Sequence, residues 1–273
     1  MATHDSTINR DSQAYWNKRA ATFTRDATSD YEHWLLDLLA LEAGDEVLDM
    51  GCATGTLAVP LARAGHRVHG CDFAEAMLAI LDERAAAEHL PITSHLLAWE
   101  DDWEAAGLGT DSVDVAFASR SLMAEAVGPF VAKLDSAARS RAAVVVPASL
   151  LPSRDPRLLT YLGRTAKRPR VVRDVTRALT SLGRIPVVAT TRTFRPMRFP
   201  SFDEARADLR RLAGPEPFTA REQRLFDAYS AQHIVRRAAK SPSGETSQVW
   251  VLDYALPVTW VFIGWRTDGS PWG

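Results

Sequence analysis

Val47-Leu48-Asp49-Met50-Gly51-Cys52-Ala53-Thr54-Gly55 is an apolar run that ends near an acid and gives way to two glycines four residues apart, ahead of the helix-length segment Thr54–Ala64. Strand, glycine turn, helix is the reading. Glycine lets backbone approach a ligand with no side chain intervening, and a helix start presents unpaired N–H groups to a carboxylate or phosphate. A nucleotide-type ligand follows. Asp72, 17 residues after Gly55 and at the end of the next apolar run, is placed to accept hydrogen bonds from both hydroxyls of an adenosine ribose.

Outward from this turn, short apolar runs alternate with helix-length segments, the pattern of a parallel sheet built from βαβ units. Strands are predicted at Glu46–Met50, Arg67–Cys71, Ile92–Leu97, Val113–Ala118 and Ala142–Val146, with helices at Thr54–Ala64, Ala74–Glu88 and Pro129–Ala138. Before them, Tyr15–Phe23 and Tyr31–Leu41 have helical periodicity. After Pro152 the regularity fails: helix Val172–Leu182, strand Ile185–Phe194, then Arg-rich helices Phe202–Leu212 and Thr219–Ala238. The chain closes with Val249–Leu256 and Val258–Trp265, read as an antiparallel pair returning to the sheet. The expected organisation is a helical cap at 1–44, a cofactor-binding core at 45–150, a strand and helix segment with an Arg-rich insertion at 151–247, and strands completing the sheet at 248–273.

Asp49 followed by the turn Gly51-x-Ala53-x-Gly55 resembles the first motif of the class I S-adenosylmethionine-dependent methyltransferases, small-molecule type, an acidic residue followed by a GxGxG turn. The resemblance covers Tyr15 to Pro147 well and the closing strands loosely; Ala53 stands where the family usually has its middle glycine. It implies a doubly wound, Rossmann-like three-layer α/β sandwich with a mostly parallel seven-stranded sheet and an antiparallel last strand. It also implies S-adenosyl-L-methionine as cofactor. The turn, Asp49 through Gly51, Cys52, Ala53, Thr54 and Gly55, would face the methionine part, and Asp72 would bind the ribose. By position the adenine-side role falls on Asp101 or Asp102, with Trp103 or Phe73 contacting the ring and Met77 a further candidate. Tyr15-Trp16-Asn17-Lys18-Arg19 resembles the cap segment before many small-molecule methyltransferase cores, so Tyr15 is read as closing the site.

The competing class is the NAD-dependent oxidoreductases. A dinucleotide fingerprint starting at Gly51 needs Gly or Ala at 56, where the sequence has Thr56, and an acid at Asp49 has no use beside a pyrophosphate. A catalytically silent cofactor-binding scaffold and an RNA methyltransferase are compatible with the same motif. For the acceptor, Ser119 and Arg120 end strand four where base-amine methyltransferases carry an Asn or Asp before two prolines and an aromatic residue. Arg120 either pairs with the Glu100–Asp102 acids or binds an anionic acceptor through its guanidinium fork. His33 and His233 are the histidines able to serve as a general base, and Cys52 and Cys71 lie in the cofactor half.

Composition bounds these readings. The chain has 273 residues, 46% hydrophobic and 24% charged, with 15 Gly and 15 Pro, which excludes disorder, collagen and coiled coil. No apolar run approaches the roughly 18 to 20 residues of a membrane span. Met1–Ser12 is polar with both charge signs, so neither a secretory signal nor a transit peptide is read there and a cytoplasmic protein is expected. Two cysteines without CxxC spacing suit no metal site or disulfide framework. The net charge of −2 conceals an asymmetry: residues 1–150 hold 11 Lys+Arg against 23 Asp+Glu, and 151–240 hold 20 against 8. The basic segment is read as a cap for an acidic core or a recruiter of an anionic small molecule, and the partner overall as a small-molecule methyl acceptor of anionic or aromatic character. Nucleic acid is disfavoured, because the arginines are mixed with acids along helices. The oligomeric state is not legible.

Overall fold

A computed structural model describes residues 12–21, 23, 30–122, 127–148, 154–165, 170–195, 197–240 and 246–272. Its central sheet has the order β3-β2-β1-β4-β5-β10-β6, from β1 (Glu46–Met50), β2 (Arg67–Asp72), β3 (Ile92–Leu96), β4 (Val113–Ser119), β5 (Ala138–Pro147), β6 (Val187–Arg195) and β10 (Leu256–Arg266). Pairing of β1 with β2 and β4, of β2 with β3, and of β4 with β5 is parallel. Against β5, β10 is antiparallel: Ala148 N–H donates to Thr259 O at one end and Thr267 N–H to Ser140 O at the other. The sheet is the Rossmann-like one implied by the resemblance. Its inner strands are buried on both faces, as parallel strands covered by crossover helices must be.

The helices are α1 (Gln13–Ala20), α2 (Asp30–Leu39), α3 (Ala58–Arg63), α4 (Glu75–Glu88), α5 (Val127–Ala137) and α7 (Val171–Ser181) around the sheet. The Ser12 side chain caps α1, and α4 stops at His89, whose φ of 51° is left-handed. Two links seat α1 on the β2–α4 connection: Gln13 Nε2 donates to Phe73 O, 2.7 Å, and Asn17 Oδ1 accepts Ala76 N–H, 3.0 Å. Trp16 and Phe23 then pack beside Ala74 and Met77.

The chain divides into two compact units, and the second holds 147–170 and 190–260. It contains α6 (Pro156–Leu162), α8 (Phe202–Leu212), α9 (Ala220–His233) and a separate sheet, β7-β9-β8, from β7 (Arg198–Phe199), β8 (Ile234–Lys240) and β9 (Thr246–Leu252). Its core gathers Leu158, Leu209, Phe226, Tyr229 and Leu252. Asp155 caps α6 ahead of Pro156, and a reciprocal Thr219–Glu222 capping box starts α9.

Two expectations fail in this unit. Thr219–Ala238 is not one helix: α9 ends at His233 and Ile234–Lys240 pairs residue for residue with β9. Nor do the two closing runs pair with each other, since β9 lies between β7 and β8 while β10 joins the central sheet. Several arginines here are neutralised locally, Arg164 by Glu222 at 2.6 Å, Arg206 by Asp227 and Arg211 by Asp208. Among the described residues no helix is long and apolar enough to cross a membrane.

Candidate active site

β1 and β4 are neighbours at the point where the strand order turns back on itself, the place where open α/β sheets hold ligands. A cavity of about 500 Å³ opens there, lined by Asp49, Gly51, Ala53, Asp72, Ser119 and Arg120 among others. Its floor is the turn after β1. Gly51 N–H and Cys52 N–H donate to Cys71 O at 2.7 and 2.9 Å, which binds the turn to the end of β2. Ala53 N–H donates to Asp72 Oδ2 and Ala74 N–H to Asp72 Oδ1, both 2.9 Å, so Asp72 organises the turn that it faces.

Gly51 has φ +83°. A Cβ on it would overlap the Cβ of Ser121, whose hydroxyl donates to Met50 O at 2.5 Å. Glycine is therefore required twice at this position, by its backbone and by the serine pressed against it. Ala53 also has a left-handed backbone, φ +49°, at a cost of about 1 kcal/mol or more for an alanine. Ala53→Gly is expected to raise stability by up to about 1 kcal/mol, after the extra chain entropy of glycine is offset; the shift of the urea midpoint measures it.

The reading of a helix start at Thr54 is corrected. Helix α3 begins at Ala58, and Thr54 is fully buried beneath the turn, as is Gly55 against Leu81. The N–H groups of Gly51 and Cys52 are spent on Cys71 O, that of Ala53 on Asp72 and that of Gly55 on Cys52 O. No row of helix N–H groups faces the cavity from Thr54.

Electrostatically the floor is acidic. Asp49 is 1% exposed and its Oδ2 has no hydrogen-bond partner. Burial, then the facing Asp72, push its carboxyl up to about 8, against one backbone hydrogen bond from Ala58. Burial also raises Asp72, opposed by the bonds from Ala74, Ala53 and Phe73. The Cys52 and Cys71 thiols are driven upward by burial and by the same two acids, so neither is a ready thiolate.

The walls differ in part from expectation. Cys52, Phe73, Met77 and Ser119 line the cavity. Tyr15 does not; the cap aromatics that do are Trp16 and Phe23, because α1 turns Trp16 inward over Met77. Asp101, Asp102 and Trp103 lie along a separate hollow of about 160 Å³. The two acids are occupied as loop caps, Asp101 by Ala98 N–H and Asp102 by Ala105 N–H, and Trp103 is buried with its indole N–H on Ala98 O. Ala98, Trp99 and Glu100 take their place on the cavity wall. Trp99 stacks on Phe130, ring centroids 5.1 Å apart, and its indole N–H donates to Ser121 O. His33 is exposed on α2 and does not line the cavity. His233 belongs to the second unit, where its Nδ1 lies 3.0 Å from Asp253 Oδ1.

The family profile described as a methyltransferase domain matches residues 47–140, the span that supplies the turn, Asp72, Trp99 and Arg120. Residues 47–140 are a class I methyltransferase domain. Its fold is that of the S-adenosylmethionine-dependent enzymes. An uncharacterised protein from Haemophilus influenzae is 31% identical over 132 residues, 46% of this chain and 47% of that one. Glycine N-methyltransferase from Oryctolagus cuniculus is 34% identical over 99 residues, 33% of this chain and 34% of that one. The chain spans less than half the length of these curated relatives. Among solved structures, geranyl diphosphate C-methyltransferase from Streptomyces coelicolor A3(2), with Mg2+, geranyl diphosphate and S-adenosyl-L-homocysteine, has the same fold, with a TM-score of 0.51 and 14% identity, covering 96% of this chain and 85% of that one.

The sequence reading placed Ser121 in the acceptor segment at the end of strand four and missed Tyr31, Trp99 and Phe130. Trp99 carried a legible signal, an aromatic three residues after β3 and nearer the strand end than Trp103. Tyr31 and Phe130 come from α2 and α5, and nothing in the local pattern marks them as neighbours.

Proposed function

We propose that the chain transfers a methyl group from S-adenosylmethionine to a small-molecule acceptor. The observation that carries this reading is the buried, unpartnered Asp49 Oδ2 on the floor of a cavity that also presents the Asp72 carboxylate. An orphaned buried carboxylate oxygen is costly unless a cation or donor meets it, and the cofactor's ammonium group is such a partner. When bound, S-adenosylmethionine supplies an electrophilic methyl group on a sulfonium and leaves as S-adenosylhomocysteine. Asp49 would hold the ammonium, Asp72 the ribose hydroxyls, and Phe73, Met77, Leu97 and Trp99 the apolar faces of the adenine. Trp16 and Phe23 would exclude water from above. Methyl transfer of this kind is an in-line displacement that gains most from holding the reacting atoms collinear, so the aromatic walls serve as positioning surfaces.

A small molecule is favoured over RNA by the local pairing of arginines in the second unit, which leaves less basic charge for a phosphate backbone. Calorimetric titration with S-adenosylhomocysteine tests the cofactor reading, and release of S-adenosylhomocysteine across a panel of small acceptors tests the transfer. A protein that binds the product cofactor but never turns over would be the silent scaffold.

Asp49 gives binding a pH signature. Below about 8 the ligand-free carboxyl is protonated, whereas an ammonium pairs with its ionised form. Binding at pH 7 should therefore release a proton, and affinity should fall about tenfold per pH unit below 8. Titrations in buffers of different ionisation enthalpy read the proton directly. Because the folded-state value is raised, the unfolded chain releases the Asp49 proton from about pH 4 while the ligand-free fold keeps it up to about 8, so ligand-free stability falls across that window. Asp49→Asn should raise the ligand-free Tm at pH 8 by several degrees, about 2 to 4 °C per kcal/mol, while weakening cofactor binding and abolishing its pH dependence.

A further inference from the structure

Arg120 is the only basic side chain among the described residues that line the cavity, whose acids are Asp49, Asp72 and Glu100. It is held in an unusual way. Its φ is +64°, a left-handed backbone that disfavours any residue but glycine, while its N–H still donates to Val145 O at 3.0 Å in register with β5. A residue kept in a costly conformation that glycine would adopt freely points to a use for its side chain. The guanidinium carbon sits 3.5 Å from the centroid of the Tyr31 ring, and the Tyr31 hydroxyl is 2.7 Å from Ser119 Oγ. The Arg120 side chain also hydrogen-bonds the Tyr31 hydroxyl, one contact of a guanidinium that carries five N–H donors in a fixed fork. Arg120 itself is exposed, at the rim of the cavity, whereas Asp49 lies buried at its floor. The wall between rim and floor is aromatic, with Trp99 stacked on Phe130 and tied to Ser121, the residue after Arg120.

We propose that Arg120, steadied on Tyr31, binds a carboxylate carried by the methyl acceptor, and that the acceptor is a small carboxylic acid. This rests on the methyltransferase reading and names the acceptor class for the same cavity. A bidentate guanidinium–carboxylate contact orients as well as attracts, so Arg120 fixes which end of the acceptor faces the cofactor. The one other carboxylate that could reach Arg120 is the cofactor's own, and the two sources separate experimentally.

The probes are benzoate and its neutral isostere benzamide, titrated calorimetrically into wild type and Arg120→Gly, each saturated with S-adenosylhomocysteine. Glycine suits φ +64°, so this variant should fold with a Tm no lower than wild type. The expected result is that wild type binds benzoate at least tenfold more tightly than benzamide, that Arg120→Gly abolishes this preference, and that S-adenosylhomocysteine binds both proteins equally within about twofold. Equal binding of the two probes by wild type, or binding of neither, overturns the proposal. So does a tenfold or greater loss of S-adenosylhomocysteine affinity in Arg120→Gly with an unchanged benzoate preference, which assigns the arginine to the cofactor carboxylate. Failure of wild type to bind S-adenosylhomocysteine at all is a different result, and it removes the methyltransferase reading.

Discussion

Gly51→Ala is expected to abolish detectable S-adenosylhomocysteine binding and to cost the ligand-free protein about 3 kcal/mol or more. Two independent effects add. The backbone at φ +83° costs about 1 to 2 kcal/mol for any L side chain. The new methyl overlaps the Ser121 Cβ, and overpacking of this kind costs about 1 to 3 kcal/mol. Relief of the overlap moves the turn or the β4 exit, and both line the cavity. A double variant separates the terms. Gly51→Ala with Ser121→Gly should regain the overlap cost and leave the backbone strain, so the pair should couple by about 1 kcal/mol or more. Denaturant unfolding measures the coupling, and purely additive effects would show that the serine is not pressed against the turn.

The second large effect is at Asp72. Asp72→Ala should lower S-adenosylhomocysteine affinity by about 3 kcal/mol, roughly two orders of magnitude, from the loss of hydrogen bonds to a charged acceptor. It should also destabilise the ligand-free protein, because Ala53 N–H and Ala74 N–H both lose their acceptor. Asp72→Asn keeps one carbonyl oxygen and should fall between. Calorimetric affinity unchanged in Asp72→Ala would remove the ribose assignment, even if the variant unfolds more easily.

Legibility of this chain followed how local each decision is. β1 and the helix Phe202–Leu212 matched the sequence reading at both ends, and β2 and α4 matched within one residue, since their periodicity and their stop signals lie within a few positions. β8 was read as the end of a helix because Ile234–Lys240 contains Arg and Ala and neither Gly nor Pro. Its strand identity comes from pairing with β9, whose Leu252 meets Ile234 and whose Thr246 meets Lys240. A pairing between two separate segments leaves no periodic trace. The site divides in the same way. The turn, Asp49 and Asp72 belong to one βαβ unit and were readable together. The helix start at Thr54 was misplaced because α3 begins only at Ala58, after a turn in which the Gly51, Cys52, Ala53 and Gly55 N–H groups are already bonded, and Asp101 and Asp102 lie on a separate hollow as loop caps. Tyr31, Trp99 and Phe130 converge from three separate elements, so only the folded chain brings them together.

The bend between Met50 and Thr54 is expected to hold an aminoacyl-thioether nucleoside and not a pyrophosphate. Calorimetric titration of the wild-type chain with S-adenosylhomocysteine and, separately, with NADH tests it most directly. The account predicts one molecule of S-adenosylhomocysteine bound per chain, with a proton released at pH 7, and no heat from NADH. Saturable NADH binding with no response to S-adenosylhomocysteine would contradict it.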